Sequence, residues 1–219
     1  PVLHAIAASR KAASRPFLVL AGTVTQFGLC GTDPVDETCP DRPVTGYDLH
    51  KLAAEQHVLM AARDGGIRGC CLRLANVYGA GPNPNGALDR GILNKVVRNA
   101  LIGQAVTIFG DGREIRDYVY LDDVAAAFMA AAQASDACTG RAFVVSSGEA
   151  TPFGDAFRMA VSRVERKIGK AVPIQYAPWP PGMMPIEFRN FVGNVSALTR
   201  ASGWRPAFCL ADGLDLTIE

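Results

Sequence analysis

Tyr47 and Lys51 stand four residues apart in the run Tyr47-Asp48-Leu49-His50-Lys51, and at that spacing two side chains share one face of a helix. A free phenol titrates near pH 10, too high for a base at neutral pH. An ammonium one turn away stabilises the phenolate and lowers that value, one of few ways to make tyrosine a general acid or base near pH 7. The spacing alone is common, and its plain alternative is a half-buried tyrosine beside a solvated lysine. Thr23 adds a second group. It ends the run Phe17-Leu18-Val19-Leu20-Ala21-Gly22-Thr23, which reads as a buried strand, and the carboxyl ends of parallel strands line the ligand crevice of an open sheet. A hydroxyl there can bond a substrate oxygen while Tyr47 gives or takes its proton. The alternative is a threonine that caps a turn.

These groups need a frame, and the sequence predicts one. Helices are expected over 1–13, 45–63 (closed by Gly65-Gly66), 92–101, 122–133 and 153–168, with short ones near 195–202 and 211–218. Asp122 and Asp123 suit the cap and first turn of the helix they open. Strands are expected at 17–20, 70–74, 105–109, 118–121 and 143–145. The runs 33–43, 78–89 and 178–182, rich in Gly, Pro or Asp, read as loops. Strands alternating with helices predict an α/β fold: a doubly wound parallel, Rossmann-like sheet with a smaller C-terminal substrate lobe. Residues 1–78 and 105–145 are assigned to the sheet domain, 79–104 to its substrate side, and 146–219 mainly to the small lobe.

The 219 residues are 49% hydrophobic and 20% charged, with 22 basic against 21 acidic side chains. That balance gives no electrostatic footprint for nucleic acid or an anionic membrane, and an anionic ligand must be held by a few local arginines. The six cysteines show no C-x-x-C spacing, and neither they nor His4, His50 and His57 lie at metal-ligand spacing. Without an apolar stretch of about 20 residues or a signal segment, a cytoplasmic protein with reduced thiols is expected.

Six ordered motifs carry a family resemblance. They are Leu20-Ala21-Gly22-Thr23-Val24-Thr25-Gln26-Phe27-Gly28, Asp36-Glu37-Thr38-Cys39-Pro40, Tyr47 to Glu55, Leu72 to Gly79, Ile108 to Val124 with Arg116-Asp117-Tyr118 at its centre, and Gly203 to Leu214 with Trp204-Arg205-Pro206. In this order they resemble the extended short-chain dehydrogenases/reductases, the NAD-dependent epimerase/dehydratase family that acts on nucleotide sugars. The resemblance implies catalytic roles for Thr23, Tyr47 and Lys51, and dinucleotide contacts from Ala21, Tyr47, Lys51 and Leu74. It implies a nucleotide-sugar substrate held by Asn76, Arg90, Arg116 and Arg189, the arginines suited to diphosphate by their planar fork. For Arg116 the alternative is a salt bridge to Asp117 or Glu114. The cofactor implied is NAD or NADP. The family also implies a homodimer, formed by the helices near 1–13 and 45–63, where Leu49, Leu52, Leu59 and Met60 are the apolar positions beyond the Tyr-Lys face.

One departure stands out. The family opens on a strand and a Gly-rich turn that presents a helix N-terminus to the cofactor diphosphate, and nothing in the 219 residues matches it. The first βαβ units are therefore expected to be missing. As for reaction type, the family's 4,6-dehydratases follow their threonine with an Asp-Glu pair, whereas Thr23 is followed by Val24 and Thr25. Dehydration is disfavoured, leaving a 4-epimerase or a 4-ketoreductase. Ala21 to Gln26, Asp89-Arg90-Gly91 and Glu187-Phe188-Arg189 resemble reductases of 4-keto-6-deoxyhexoses and tilt the expectation that way, while Asn76-Val77-Tyr78-Gly79 resembles epimerases. A catalytically silent relative that senses a dinucleotide or serves as a scaffold is the third reading.

Overall fold

The computed structural model describes residues 1–14, 16–81 and 91–219. Helix α1 (Val2–Lys11) leads into strand β1 (Phe17–Thr23), then the long helix α2 (Gly46–Arg63) and strand β2 (Arg68–Leu74). Thr45 caps α2 in a reciprocal box: its hydroxyl accepts from the Asp48 N–H, and the Asp48 carboxylate accepts from the Thr45 N–H. Two orphan donors of the first turn are thereby satisfied. Gly65, at φ +70°, supplies the left-handed residue that ends the helix.

The short strand β3 (Asn76–Tyr78) follows, then α3 (Ile92–Leu101), β4 (Val106–Phe109), β5 (Ile115–Arg116) and β6 (Tyr118–Tyr120). After them come α4 (Leu121–Gln133), α5 (Ser135–Cys138), β7 (Ala142–Val145), β8 (Thr151–Pro152), α6 (Phe153–Ile168), β9 (Ile174–Ala177), α7 (Ser196–Ser202) and α8 (Leu210–Ile218). Strands β1, β2 and β7 form a parallel sheet in the order β1-β2-β7. Its register puts Thr23 opposite Leu74 and Leu74 opposite Val145, so the carboxyl ends of the strands finish level. Leu18 and Leu20 face a core made with Ile6, Val58, Ala61 and Ala62 of α1 and α2. Phe17 and Val19 face the opposite core, built on Cys70, Leu72, Phe143 and Val145 with Ala127, Leu198 and Trp204. Helices cover both faces, the doubly wound arrangement expected of these apolar runs.

A third core joins α3, α6 and α8 around Tyr78, Val97, Ile108, Phe157 and Leu214. Here β3 pairs parallel with β6, β4 parallel with β9, and β5 antiparallel with β8. Strand β3 falls between the expected strand 70–74 and the expected loop 78–89, meeting that loop only at Tyr78, and β9 was not expected at all. Helix α4 begins at Leu121 with Tyr120 at its cap, so Asp122 and Asp123 both lie in the first turn. The Asp123 carboxylate instead accepts from the main-chain N–H groups of Ala207 and Phe208 and ties down the segment before α8.

Candidate active site

Two adjoining cavities open at the carboxyl ends of β1 and β2. The first, about 500 Å³, is lined by Ala21, Gly22, Thr23, Tyr47, Lys51, Leu74 and Asn76, among others. The second, about 770 Å³, runs from Thr25 and Asp48 past Arg116, Tyr118 and Arg189 to Phe109 and Trp179. Tyr47, Asn76, Gly91, Ile92 and Tyr118 line both. Tyr47 stands at the junction.

Tyr47 is 58% exposed, on the first turn of α2. The Lys51 ammonium lies 5.8 Å from its ring centroid and donates to the Ala21 carbonyl at 2.9 Å. That bond fixes the lysine against β1 and leaves two of its three hydrogens for a ligand. Thr23 is nearly buried. Its hydroxyl accepts from the Thr25 N–H and meets the Thr25 hydroxyl at 3.0 Å, so it does cap the 3-10 turn Val24–Phe27 while also lining the first cavity. The two readings of Thr23 coexist.

On the far side, Asn76 anchors through its side-chain amide to the Asp117 carbonyl and receives Arg189 at 3.5 Å. Asp117 is itself a buried staple, accepting from Ser147 N–H and hydroxyl and from the Gly148 and Gly193 N–H groups. Arg116 makes no ion pair with Asp117 or Glu114; its guanidinium donates to the carbonyls of Ile115, Glu187 and Arg189. Those bonds seat the 3-10 turn Pro185–Phe188 against the second cavity. Arg189 donates to the Ile186 carbonyl, and its buried Nε has no partner among the described residues. The two arginines are 7% and 8% exposed, and neither has a carboxylate partner among the described residues. Burial pushes the Arg116 pKa down; burial and then the Arg116 charge push that of Arg189 down to about 10. The Tyr118 hydroxyl, which feels both charges, is buried and also has no partner among the described residues. Two buried cations, an N–H and an O–H without a partner among the described residues are groups with which an anion could pair.

Of the expected site residues, Ala21, Thr23, Tyr47, Lys51 and Leu74 thus meet in the first cavity, Arg116 and Arg189 in the second, with Asn76 in both. Arg90 lies outside the described residues. Thr25, Asp48 and Tyr118 were not singled out from sequence, although all three sit inside the quoted motifs. The second cavity also carries an aromatic wall: Trp179 stacks on Phe109 with centroids 5.5 Å apart and meets Phe188 edge-on at 5.1 Å.

Residues 2–146 match the model of the NAD dependent epimerase/dehydratase family. The chain is 29% identical over 215 residues to a UDP-glucose 4-epimerase of Mycolicibacterium smegmatis, covering 97% of this chain and 64% of that protein. It is 27% identical over 206 residues to a dTDP-4-dehydro-6-deoxyglucose reductase of Escherichia coli, covering 93% and 60%. The chain spans less than two thirds of the length of these relatives. Among solved structures, a UDP-glucose 4-epimerase of Thermotoga maritima with UDP-glucose superposes with a TM-score of 0.80 at 26% identity, over 99% of this chain and 66% of that one. An NADPH complex of RMD from Pseudomonas aeruginosa shares the fold, with a TM-score of 0.81 at 19% identity over 99% and 70%. No helix among the described residues is long and apolar enough to cross a membrane.

Proposed function

Because the chain belongs to the NAD dependent epimerase/dehydratase family, we propose that it carries the catalytic half of a nucleotide-sugar oxidoreductase working at C4 of a hexose. The observation that carries this reading is the junction itself: Tyr47, with Lys51 and Thr23 at hand, stands between one cavity and a second that holds two buried arginines with no ion pair among the described residues. The first cavity suits the nicotinamide end of NAD or NADP. Small residues, Ala21, Gly22 and Ala75, leave room at the strand ends, and the ammonium of Lys51 has two hydrogens free for ribose hydroxyls. The cofactor, when bound, supplies or takes up the hydride at C4.

The chain's own residues do the rest. Tyr47 gives the sugar oxygen its proton in the reductive direction and removes it in the oxidative one; the Lys51 charge steadies the phenolate left behind. Thr23 holds the same oxygen. Arg116, Arg189 and Asn76 hold the diphosphate, so the hexose is pinned at the tyrosine by binding energy spent remotely. Tyr47→Phe is expected to lower turnover by about 10²–10⁴-fold while nucleotide-sugar affinity stays within a few-fold. Substantial residual activity would sink the assignment.

Two outcomes share this chemistry. Reduction of a 4-keto-6-deoxyhexose is favoured by the wording of the Ala21–Gln26 motif and by the likeness to the E. coli reductase. Epimerisation is favoured by the likeness to UDP-glucose 4-epimerases, which recurs across several relatives. Full-length protein given a 4-keto nucleotide sugar with NADPH, and separately a 4-hydroxy one with NAD, separates them at the nicotinamide absorbance band. Net NADPH loss marks the reductase; isomerised sugar without net change marks the epimerase.

A homodimer is proposed through the outer faces of α1 and α2, where Leu3, Leu49 and Met60 are 62%, 55% and 58% exposed. Leu59, by contrast, is buried and Leu52 half-buried, so they serve the protein's own core. Leu49→Glu with Met60→Glu should give monomers in sedimentation; an unchanged dimer places the contact elsewhere.

A further inference from the structure

Glu187 sets a negative charge beside the two cavity arginines, where it raises the pKa of each against the pull of burial. The Arg116 guanidinium donates to the main-chain carbonyls of Glu187, at 2.6 Å, and of Arg189. That clamp fixes both residues at the wall of the second cavity, which both line. Phe188, between them in the chain, meets Trp179 of the aromatic wall. The Glu187 side chain is half-buried and makes no hydrogen bond or ion pair with any described residue. It lines the second cavity and not the first, so it stands on the far side of the junction from Lys51 and the reacting carbon. An anion in a cavity that takes a diphosphate repels the phosphates. What a carboxylate can usefully meet there is a neutral donor, and its two oxygens suit two neighbouring hydroxyls, each giving one hydrogen. A nucleotide sugar carries such a pair beyond its phosphates, on the ribose.

We propose that Glu187 is a specificity-determining contact that accepts hydrogen bonds from the 2′- and 3′-hydroxyls of the nucleoside, so that the site takes ribonucleoside diphosphates in preference to 2′-deoxyribonucleoside diphosphates. The inference rests on the reading of Arg116 and Arg189 as the groups that hold the diphosphate of a nucleotide sugar. A site built to bond a hydroxyl rejects the analogue that lacks it, because its own polar group is then left without a partner. Here the rejection has a second source: without the 2′-hydroxyl, less offsets the repulsion between the carboxylate and the phosphates. The selection bears on the two outcomes above, since one follows from likeness to a UDP-linked enzyme and the other from likeness to a dTDP-linked one. The plain alternative is a counter-charge that eases the burial of the two arginines and touches no ligand. Removing such a charge would strengthen every diphosphate alike.

Calorimetric titration of the full-length protein with UDP and with 2′-deoxy-UDP separates the two. UDP should bind about tenfold to a hundredfold more tightly, the scale of one hydrogen bond to a charged group. Glu187→Leu should bring the two affinities to within about threefold of each other, and it removes no contact of the fold. Glu187→Gln, which keeps an acceptor oxygen in place, should retain part of the preference. Equal binding of the two nucleotides by the unaltered protein overturns this inference alone. So does a Glu187→Leu variant that binds both more tightly with their ratio unmoved, and complete loss of the preference in Glu187→Gln overturns the hydrogen-bonded contact. Failure of both nucleotides to bind the unaltered protein overturns the nucleotide-sugar reading, and this inference with it.

Discussion

Arg73 and the Arg116–Arg189 pair are buried to a similar degree, 4% exposed against 7% and 8%, yet they sit in opposite electrical surroundings. Arg73, on β2, is gripped by Glu55 at 3.0 and 2.6 Å and by Asp41 at 3.1 Å, and lies over the Phe27 ring. Burial pulls its pKa down, but the bonds and charges of Glu55 and Asp41 more than offset that and carry it above the usual arginine value. Arg116 and Arg189 donate to main-chain carbonyls and, from Arg189, to the Asn76 side chain, and burial pushes both down further than the nearby Glu187 charge lifts them. A guanidinium that finds its counter-charge within the fold ties α2 to β2 and is structural. Two that form no ion pair among the described residues are the ones the proposed function gives to the diphosphate.

Substitutions can break this contrast. Arg73→Met should have the largest effect, since it strands Glu55, 0% exposed, as an unpaired buried charge. A loss of about 3–5 kcal/mol is expected from the denaturant midpoint at constant slope. Arg189→Met should leave stability unchanged or slightly raised, while UDP affinity falls by about 2–3 kcal/mol or more, the scale of a desolvated charge-assisted contact. If Arg189→Met unfolds the protein as Arg73→Met does, the contrast is false. Asn76→Asp should convert the second setting into the first by placing a carboxylate beside Arg189: a higher melting temperature, with UDP bound about tenfold more weakly. Smallest of all, Tyr118→Phe removes a hydroxyl that has no partner among the described residues. It should alter stability by less than about 0.5 kcal/mol and weaken UDP by about threefold to tenfold, if that hydroxyl meets the ligand; an equal loss of stability would mean it is satisfied within the fold.

Much of this was legible in the sequence, for reasons that differ by element. Helix α6 has the bounds its periodicity predicts, Phe153–Ile168, because an amphipathic stripe over four turns leaves no competing reading. The cap at Thr45 was within a residue of the predicted start. Strand β9 escaped because it has exposed Gln175 and Tyr176 at its centre, which erases the alternation that marks a half-buried strand. Strand β3 escaped because three residues following Ala75 carry no pattern. In the site, Tyr47, Lys51 and Thr23 were found by type and order, both properties of the chain as text. That Arg116 turns to carbonyls rather than to Asp117 or Glu114, and that the Tyr118 hydroxyl is idle, depend on what surrounds them in space. A missing partner leaves no mark in a sequence.

The bond from Lys51 to the Ala21 carbonyl has a consequence for how this protein can change. The ammonium is addressed to a main-chain oxygen, an atom that all twenty residue types supply at that point of β1. The side chain at position 21 can therefore drift, or be redesigned to reshape the cavity wall, without unmooring the lysine. Only a slip of β1 along β2 would move the mooring, and that would reverse the faces of Phe17 to Leu20 as well.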